Sequence, residues 1–304
     1  MNIFETRLAI ALCALALAAC QTLAPPPEPA ATRQMAVNGT SLGYVEQGRG
    51  VPIVLVHGAM GDHRVWAPQR EALARTHRVI ALDQRYFGAA PWPDNGERFG
   101  LATQVDDLAA FIRGLNAGPV YLVGWSMSGP STLSVAMRHP ELVRAVLVYE
   151  PSIGLPQAEA AQSKAMNDDR TAMFAEVRAK LGAGDTAAAV RALADNVEGQ
   201  PDTFATMPGW FRQMAFDNAR VLQPMFGNPP SPPPSCEQLG RIERPVTIVL
   251  GELTRVYYRL AAEAASRCIQ CARLVIAPGQ RHMSPGRDPD RFTSSIRQFV
   301  AANP

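Results

Sequence analysis

Val120-Tyr121-Leu122-Val123-Gly124-Trp125-Ser126-Met127-Ser128-Gly129 is the stretch that decides the fold. Val120 to Val123 make a short β-branched and aromatic strand, and Ser131 to His139 reads as a helix closed by Pro140. Ser126 therefore stands at a strand-to-helix corner. A sharp turn there holds the serine in a strained backbone conformation and projects its Oγ out of the sheet, provided its neighbours are small. Gly124 and Gly129 supply that room. In the spacing glycine-x-serine-x-glycine the closing position carries Ser128, which adds only a CH2OH where strand and helix pack closely. A slightly looser but intact elbow is expected.

Outward from this corner, apolar runs of strand length recur with helical segments between them: Ile53 to Val56, Val79 to Leu82, Ala145 to Tyr149, Val246 to Leu250 and Leu274 to Ala277. That alternation predicts an α/β fold, a mostly parallel doubly wound sheet covered on both faces. An antiparallel pair, Gln34 to Val37 and Leu42 to Glu46, is expected to precede it around the hairpin signal Asn38-Gly39. Between Pro151 and Pro234 the alternation stops. Only helix-like stretches occur there, Gln157 to Leu181, Thr186 to Val197 and Trp210 to Val221, before a run of prolines from Pro229 to Pro234. Residues 152–234 read as a helical cap inserted into a core made of 35–151 and 235–304. The cap's Met166, Met173, Phe174, Met207, Trp210, Phe211, Met214 and Phe216 are expected to form its own core, with some facing a cleft.

A length of 304 residues with 47% hydrophobic content suffices for one large domain with an inserted subdomain. The net charge of +2 comes from scattered arginines, with Lys164 and Lys180 the only lysines, so no basic stripe points to nucleic acid. Arg7 precedes an apolar stretch, Leu8 to Ala19, which suits a signal-peptide core and is too short to span a bilayer. Its end, Leu17-Ala18-Ala19-Cys20, resembles the lipobox of bacterial lipoproteins. The resemblance implies removal of residues 1–19, acylation of Cys20, and a membrane partnership through that anchor at the cell envelope. Gln21 after it favours outer-membrane over inner-membrane sorting by the same analogy. Residues 20–34, with Pro25, Pro26, Pro27 and Pro29, read as an extended tether. Three further cysteines are Cys236, Cys268 and Cys271. Helices run opposite to strands, which would put Cys236 and Cys268 at opposite ends of the domain; a local Cys268–Cys271 disulfide with Cys236 free is expected. A lone C-x-x-C lacks the second ligand pair of a zinc site, and no metal or organic cofactor is implied.

Taken together these pieces resemble the α/β-hydrolase fold with a cap, over roughly Ala36 to Phe299. The resemblance implies roles for matching positions. Ile53-Val54-Leu55-Val56-His57-Gly58-Ala59 looks like the strand and turn that give one oxyanion-hole N–H, here from Ala59, while Met127 after the nucleophile would give the other. Two such donors are needed because charge grows on the carbonyl oxygen. His57 is then a structural turn residue. Asp83-Gln84-Arg85-Tyr86-Phe87-Gly88 resembles a family loop in which Tyr86 occupies a glycine position, making it bulky enough to wall a pocket or pack locally. His282, after the last strand, matches the general base.

The acid departs from the commonest pattern. In Gly251-Glu252-Leu253-Thr254 a threonine stands where many relatives carry Asp. Glu150, at the end of the earlier strand, fits the alternative in which the acid follows that strand, and Glu252 is the other candidate. The expected function is a serine hydrolase of the esterase kind, with Ser126 as nucleophile, His282 as base, and a small-molecule acyl substrate. A C–C bond hydrolase, a lactonase or a cofactor-free haloperoxidase-like perhydrolase would use the same groups. The rival of another class is a non-catalytic binding protein that kept the fold, for which Ser128 and Thr254 speak.

Overall fold

Asn38 and Gly39 both adopt left-handed backbone, with φ of 42° and 76°, as a tight hairpin requires. They join β1 (Arg33–Val37) to β2 (Thr40–Gln47) in an antiparallel ladder. The computed structural model describes residues 31–154 and 160–304. The leader, Cys20 and most of the tether lie outside the described residues. Arg33 and Gln34, drawn above as the end of the tether, belong to β1.

The remaining strands are β3 (Pro52–Val56), β4 (Arg78–Leu82), β5 (Val120–Trp125), β6 (Val143–Tyr149), β7 (Val246–Gly251) and β8 (Ala272–Ala277). The sheet order is β1-β2-β4-β3-β5-β6-β7-β8, parallel from β4 to β8 and antiparallel only at the β1 and β2 edge. This is the α/β-hydrolase fold. Every residue of β3 and of β5 is buried, which is why both read as unbroken apolar runs rather than alternating ones. The chain places β4 on one side of β3 and β5 on the other, so the winding reverses beside β3. Ligand crevices in open parallel sheets form at the carboxyl ends of strands flanking such a reversal.

Helices α1 (Ala67–Leu73), α2 (Leu101–Gly114) and α3 (Gly129–Arg138) connect the first core strands. Between β6 and β7 come α4 (Ala160–Gly182), α5 (Thr186–Glu198), α6 (Thr203–Thr206), α7 (Gly209–Asp217) and α8 (Leu222–Gly227), the inserted helices. Met166, Met173, Met207, Phe211 and Met214 are buried among them, and Phe216 packs edge-on to Phe204; Trp210 is exposed. The chain returns through α9 (Cys236–Leu239), then β7, α10 (Val256–Cys268), β8, α11 (Ser284–Arg287) and α12 (Pro289–Ala301).

The cysteines pair differently from the expectation. Cys236 is bonded to Cys268, and Cys271 is a free, exposed thiol. The expectation placed the two cysteines from helix direction alone, without allowing for how little of the domain α9 crosses. With four residues it is about 6 Å long. Its start and the end of α10 both precede a strand, β7 and β8 respectively, so both cysteines sit at the amino edge of the sheet with their Cα atoms 5.0 Å apart.

Candidate active site

Ser126 follows β5 directly, with φ of 57°, a left-handed value that few non-glycine residues adopt. Glycine at 124 is obligatory because a Cβ there would strike Thr132, and glycine at 129 because one would strike Pro151. Position 128 has no such need. Its φ is −81°, and its Oγ accepts from Trp125 N–H at 2.9 Å and lies 2.9 Å from the Val56 carbonyl as donor. The serine that departs from the glycine pattern thus ties the elbow to β3.

Ser126 Oγ lies 2.9 Å from His282 Nε2, and His282 Nδ1 lies 2.8 Å from Glu150 Oε2. A carboxylate can only accept, so Nδ1 carries the hydrogen and the Nε2 lone pair faces the serine hydroxyl. All three side chains are buried, Glu150 completely. Glu150 also accepts the Gly251 N–H through Oε1 at 2.9 Å. A Cβ on Gly251 would strike the Gln280 backbone at its carbonyl oxygen and come within 2.9 Å of Glu150 Oε1, so the glycine is what lets β7 lie against both. Glu252 is elsewhere: it is exposed and accepts from Gly279 N–H. Thr254 Oγ1 makes no hydrogen bond among the described residues.

The loop carrying His282 is held on three consecutive residues. Tyr149 Oη donates to the Arg281 carbonyl at 2.6 Å, Trp125 Nε1 to the His282 carbonyl at 3.0 Å, and Met283 N–H donates to Glu198 of α5 at 2.7 Å. Burial raises the Glu198 carboxyl above its usual range, against the Met283 hydrogen bond and the nearby His282. Tyr258 stacks on the imidazole, rings 4.0 Å apart and 13° from parallel. Sequence reading missed these supports. The adjacent aromatics Tyr257-Tyr258 were the one visible hint.

Ala59 and Met127 line a cleft of about 410 Å³ together with Ser126, and among the described residues neither backbone N–H has a protein acceptor. His57 lies behind them, fully buried: its Nδ1 contacts the Gly58 carbonyl at 2.8 Å and its Nε2 accepts Gln84 N–H. Burial lowers its pKa, and it has no part in the Ser126 chain. Tyr86, with φ of 75°, packs on Trp92 and donates to Asp94 instead of walling the cleft; Phe99 beside it does so. Other walls come from Phe174 of α4 and from Met225 and Phe226 of α8.

Asp62, His63 and Asp83 also cluster, with ligand-type atoms within 4.8 Å of one another. Their partners are internal: Arg64 and Asn218 hold the Asp62 carboxylate, and His63 holds Asp83 through both its N–H and its ring. Burial would raise the Asp62 carboxyl, but those hydrogen bonds outweigh it and keep it below its usual range. The cluster fastens the inserted helices to the core.

A family model described as the alpha/beta hydrolase family matches residues 53–294. The chain belongs to the alpha/beta hydrolase family. As a member, it is 25% identical over 279 residues to the 2-(acetamidomethylene)succinate hydrolase of Mesorhizobium japonicum, covering 89% of this chain and 95% of that one. It is 37% identical over 121 residues to the 2-hydroxy-6-oxo-6-(2'-aminophenyl)hexa-2,4-dienoic acid hydrolase of Metapseudomonas resinovorans, spanning 38% of this chain and 41% of that one. Among solved structures, a thermophilic esterase from Thermogutta terrifontis superimposes with a TM-score of 0.65 at 24% identity, over 90% of this chain and 99% of that one. A meta-cleavage product hydrolase from Pseudomonas fluorescens gives 0.71 at 20%, over 89% and 97%; both likenesses concern the fold.

Proposed function

We propose that this family member is a serine hydrolase that cleaves an acyl bond, an ester in the first instance, through a Ser126–His282–Glu150 triad. The observation that carries the reading is the unbroken chain of contacts, 2.9 Å and 2.8 Å, from a serine facing a cleft to a buried carboxylate. Ser126 Oγ attacks the carbonyl carbon while His282 Nε2 takes the hydroxyl proton, and Glu150 keeps the imidazole oriented and balances its transient charge. The Ala59 and Met127 N–H groups receive the oxyanion, each such donor contributing about 2.7–4 kcal/mol to the transition state. His282 returns the proton to the leaving group, then activates water against the acyl-enzyme, and Ser126 is regenerated as the acid departs.

Two relatives favour a second reading with the same groups. Their names give 2-(acetamidomethylene)succinate and a 6-oxo-dienoic acid as substrates, which points to amide or C–C cleavage of an organic acid. The non-catalytic alternative rested on Ser128 and Thr254, and it loses support because Ser128 serves the elbow and Glu150 makes an acid at 254 unnecessary. A fluorophosphonate probe tests the nucleophile. The native protein is expected to label and Ser126→Ala to stay unlabelled; equal behaviour of the two would sink the proposal.

A further inference from the structure

We infer that the acyl substrate carries a carboxylate remote from the scissile bond, held on the cap side of the cleft by Arg170 and Arg178 of α4. The inference rests on the hydrolase reading and names its substrate class.

Arg170, Phe174 and Arg178 recur every four residues, a spacing that stacks side chains on one face of a helix, and all three line the cleft that contains Ser126. The rotation of α4 is fixed by the adjoining stripe, where Met166, Met173 and Val177 are buried. Among the described residues no Asp or Glu lines the cleft, and the charged groups of that lining are the two arginines. Of the three acids of α4, Asp168 meets Lys164 and Asp169 is held by Arg255, while Glu176 forms no ion pair among the described residues and is not among the residues that line the cleft. Among the described residues neither Arg170 nor Arg178 forms an ion pair. Arg178 instead lies over the Phe226 ring at 5.1 Å and donates from Nη1 to the Phe226 carbonyl at 3.4 Å, which leaves its other N–H groups for a planar anion.

Arg170 acts on Tyr257, which lines the same cleft as Ser126. Burial pushes the Tyr257 hydroxyl up to about 12, and Arg170 pulls against that rise. Tyr257 lies against Ser152, whose Oγ is 3.4 Å from Ser126 Oγ. A cationic wall thus shares the cleft with the nucleophile and runs along α4 for about 12 Å, the rise of eight helical residues. Between wall and nucleophile the surface is mainly aromatic and aliphatic. A substrate with an acyl carbonyl at one end, a short apolar chain and a carboxylate at the other matches that order of chemistry. A cleft lined by one sign of charge also concentrates ligands of the opposite sign.

The test compares two para-nitrophenyl esters of equal acyl length, the neutral valerate and the half-ester of glutarate. We expect kcat/KM to favour the glutarate ester about tenfold, and the Arg170→Gln/Arg178→Gln double variant to bring the ratio down to about one. The ratio is insensitive to partial misfolding, which lowers both rates together. A wild-type ratio at or below one, or a preference that survives in the double variant, overturns the inference while leaving the hydrolase reading intact. If neither ester turns over and no fluorophosphonate label forms, the hydrolase reading is what fails. Calorimetric titration of free glutarate into Ser126→Ala, with and without the two arginines, still decides the carboxylate site: binding that needs the arginines supports it, and no binding, or binding indifferent to them, refutes it.

Discussion

At Glu150 the backbone turns into the left-handed region, φ 43°, and the side chain drops between β6 and β7 to meet both Gly251 N–H and His282. Glu252 lies one residue past that same glycine yet faces outward to Gly279 N–H. The sequence could name both carboxylates but not choose between them, because each follows a buried strand and the decision lies in which way one peptide points. Replacing Glu150 by Gln keeps the shape and removes the charge that faces His282 Nδ1. The expected loss in kcat is about a hundred- to ten-thousand-fold, against little change for Glu252→Gln, as measured by ester turnover; the opposite ranking would move the acid to residue 252. Four non-glycine residues share such backbone at the ends of successive strands: Met60 after β3, Tyr86 after β4, Ser126 after β5 and Glu150 after β6. Among the described residues the other three are Asn38, Asn116 and Asp202, types that tolerate the conformation in ordinary turns. Strain held by Met, Tyr, Ser and Glu marks a functional edge.

Among elements, the strands were legible because burial on both faces selects continuous Val, Ile and Leu, and the hairpin because Asn-Gly suits its turn. The elbow was legible as a corner, but not its closing position. A serine there looks like a loosened glycine until its hydroxyl is found between Trp125 N–H and the Val56 carbonyl. Ser128→Gly, which restores the common motif, is therefore expected to destabilise the protein, by about 1–3 kcal/mol for the buried groups it leaves unpaired. Urea unfolding of the two forms measures this, and an unchanged or raised midpoint would contradict it. In the insertion, Trp210 to Val221 reads as one helix, whereas the chain makes α7, a 3-10 turn from Ala219 to Val221, and then α8. Local periodicity does not announce that break. Asn218 supplies it by leaving the helical course to serve Asp62 and Gly88.

For the whole molecule, the cleft was the least legible feature, since its walls draw on Ala59, Phe99, Ser152, α4, α8 and Tyr257, positions that only the folded chain makes neighbours. The cysteine pairing failed at this scale too, because it depended on which edge of the sheet two distant helix ends reach. The Cys236–Cys268 bond closes a separation of 32 residues, a length for which loop entropy corresponds to about 3–4 kcal/mol of stabilisation. Reduction, or the Cys236→Ala/Cys268→Ala variant, should lower unfolding free energy by about that amount in chemical denaturation, with fluorophosphonate labelling of Ser126 retained in the folded fraction. A loss of labelling without unfolding would show that the bond supports the site itself. The disulfide occupies the amino edge of the sheet, and the strained residues occupy the carboxyl edge. Tolerance to change is thereby set far from where change alters chemistry: with the bond intact, substitutions around Ser126 that cost one or two kcal/mol leave a folded protein in which new specificities can be selected, and the same substitutions in a reduced chain would be lost to unfolding before their activity could count.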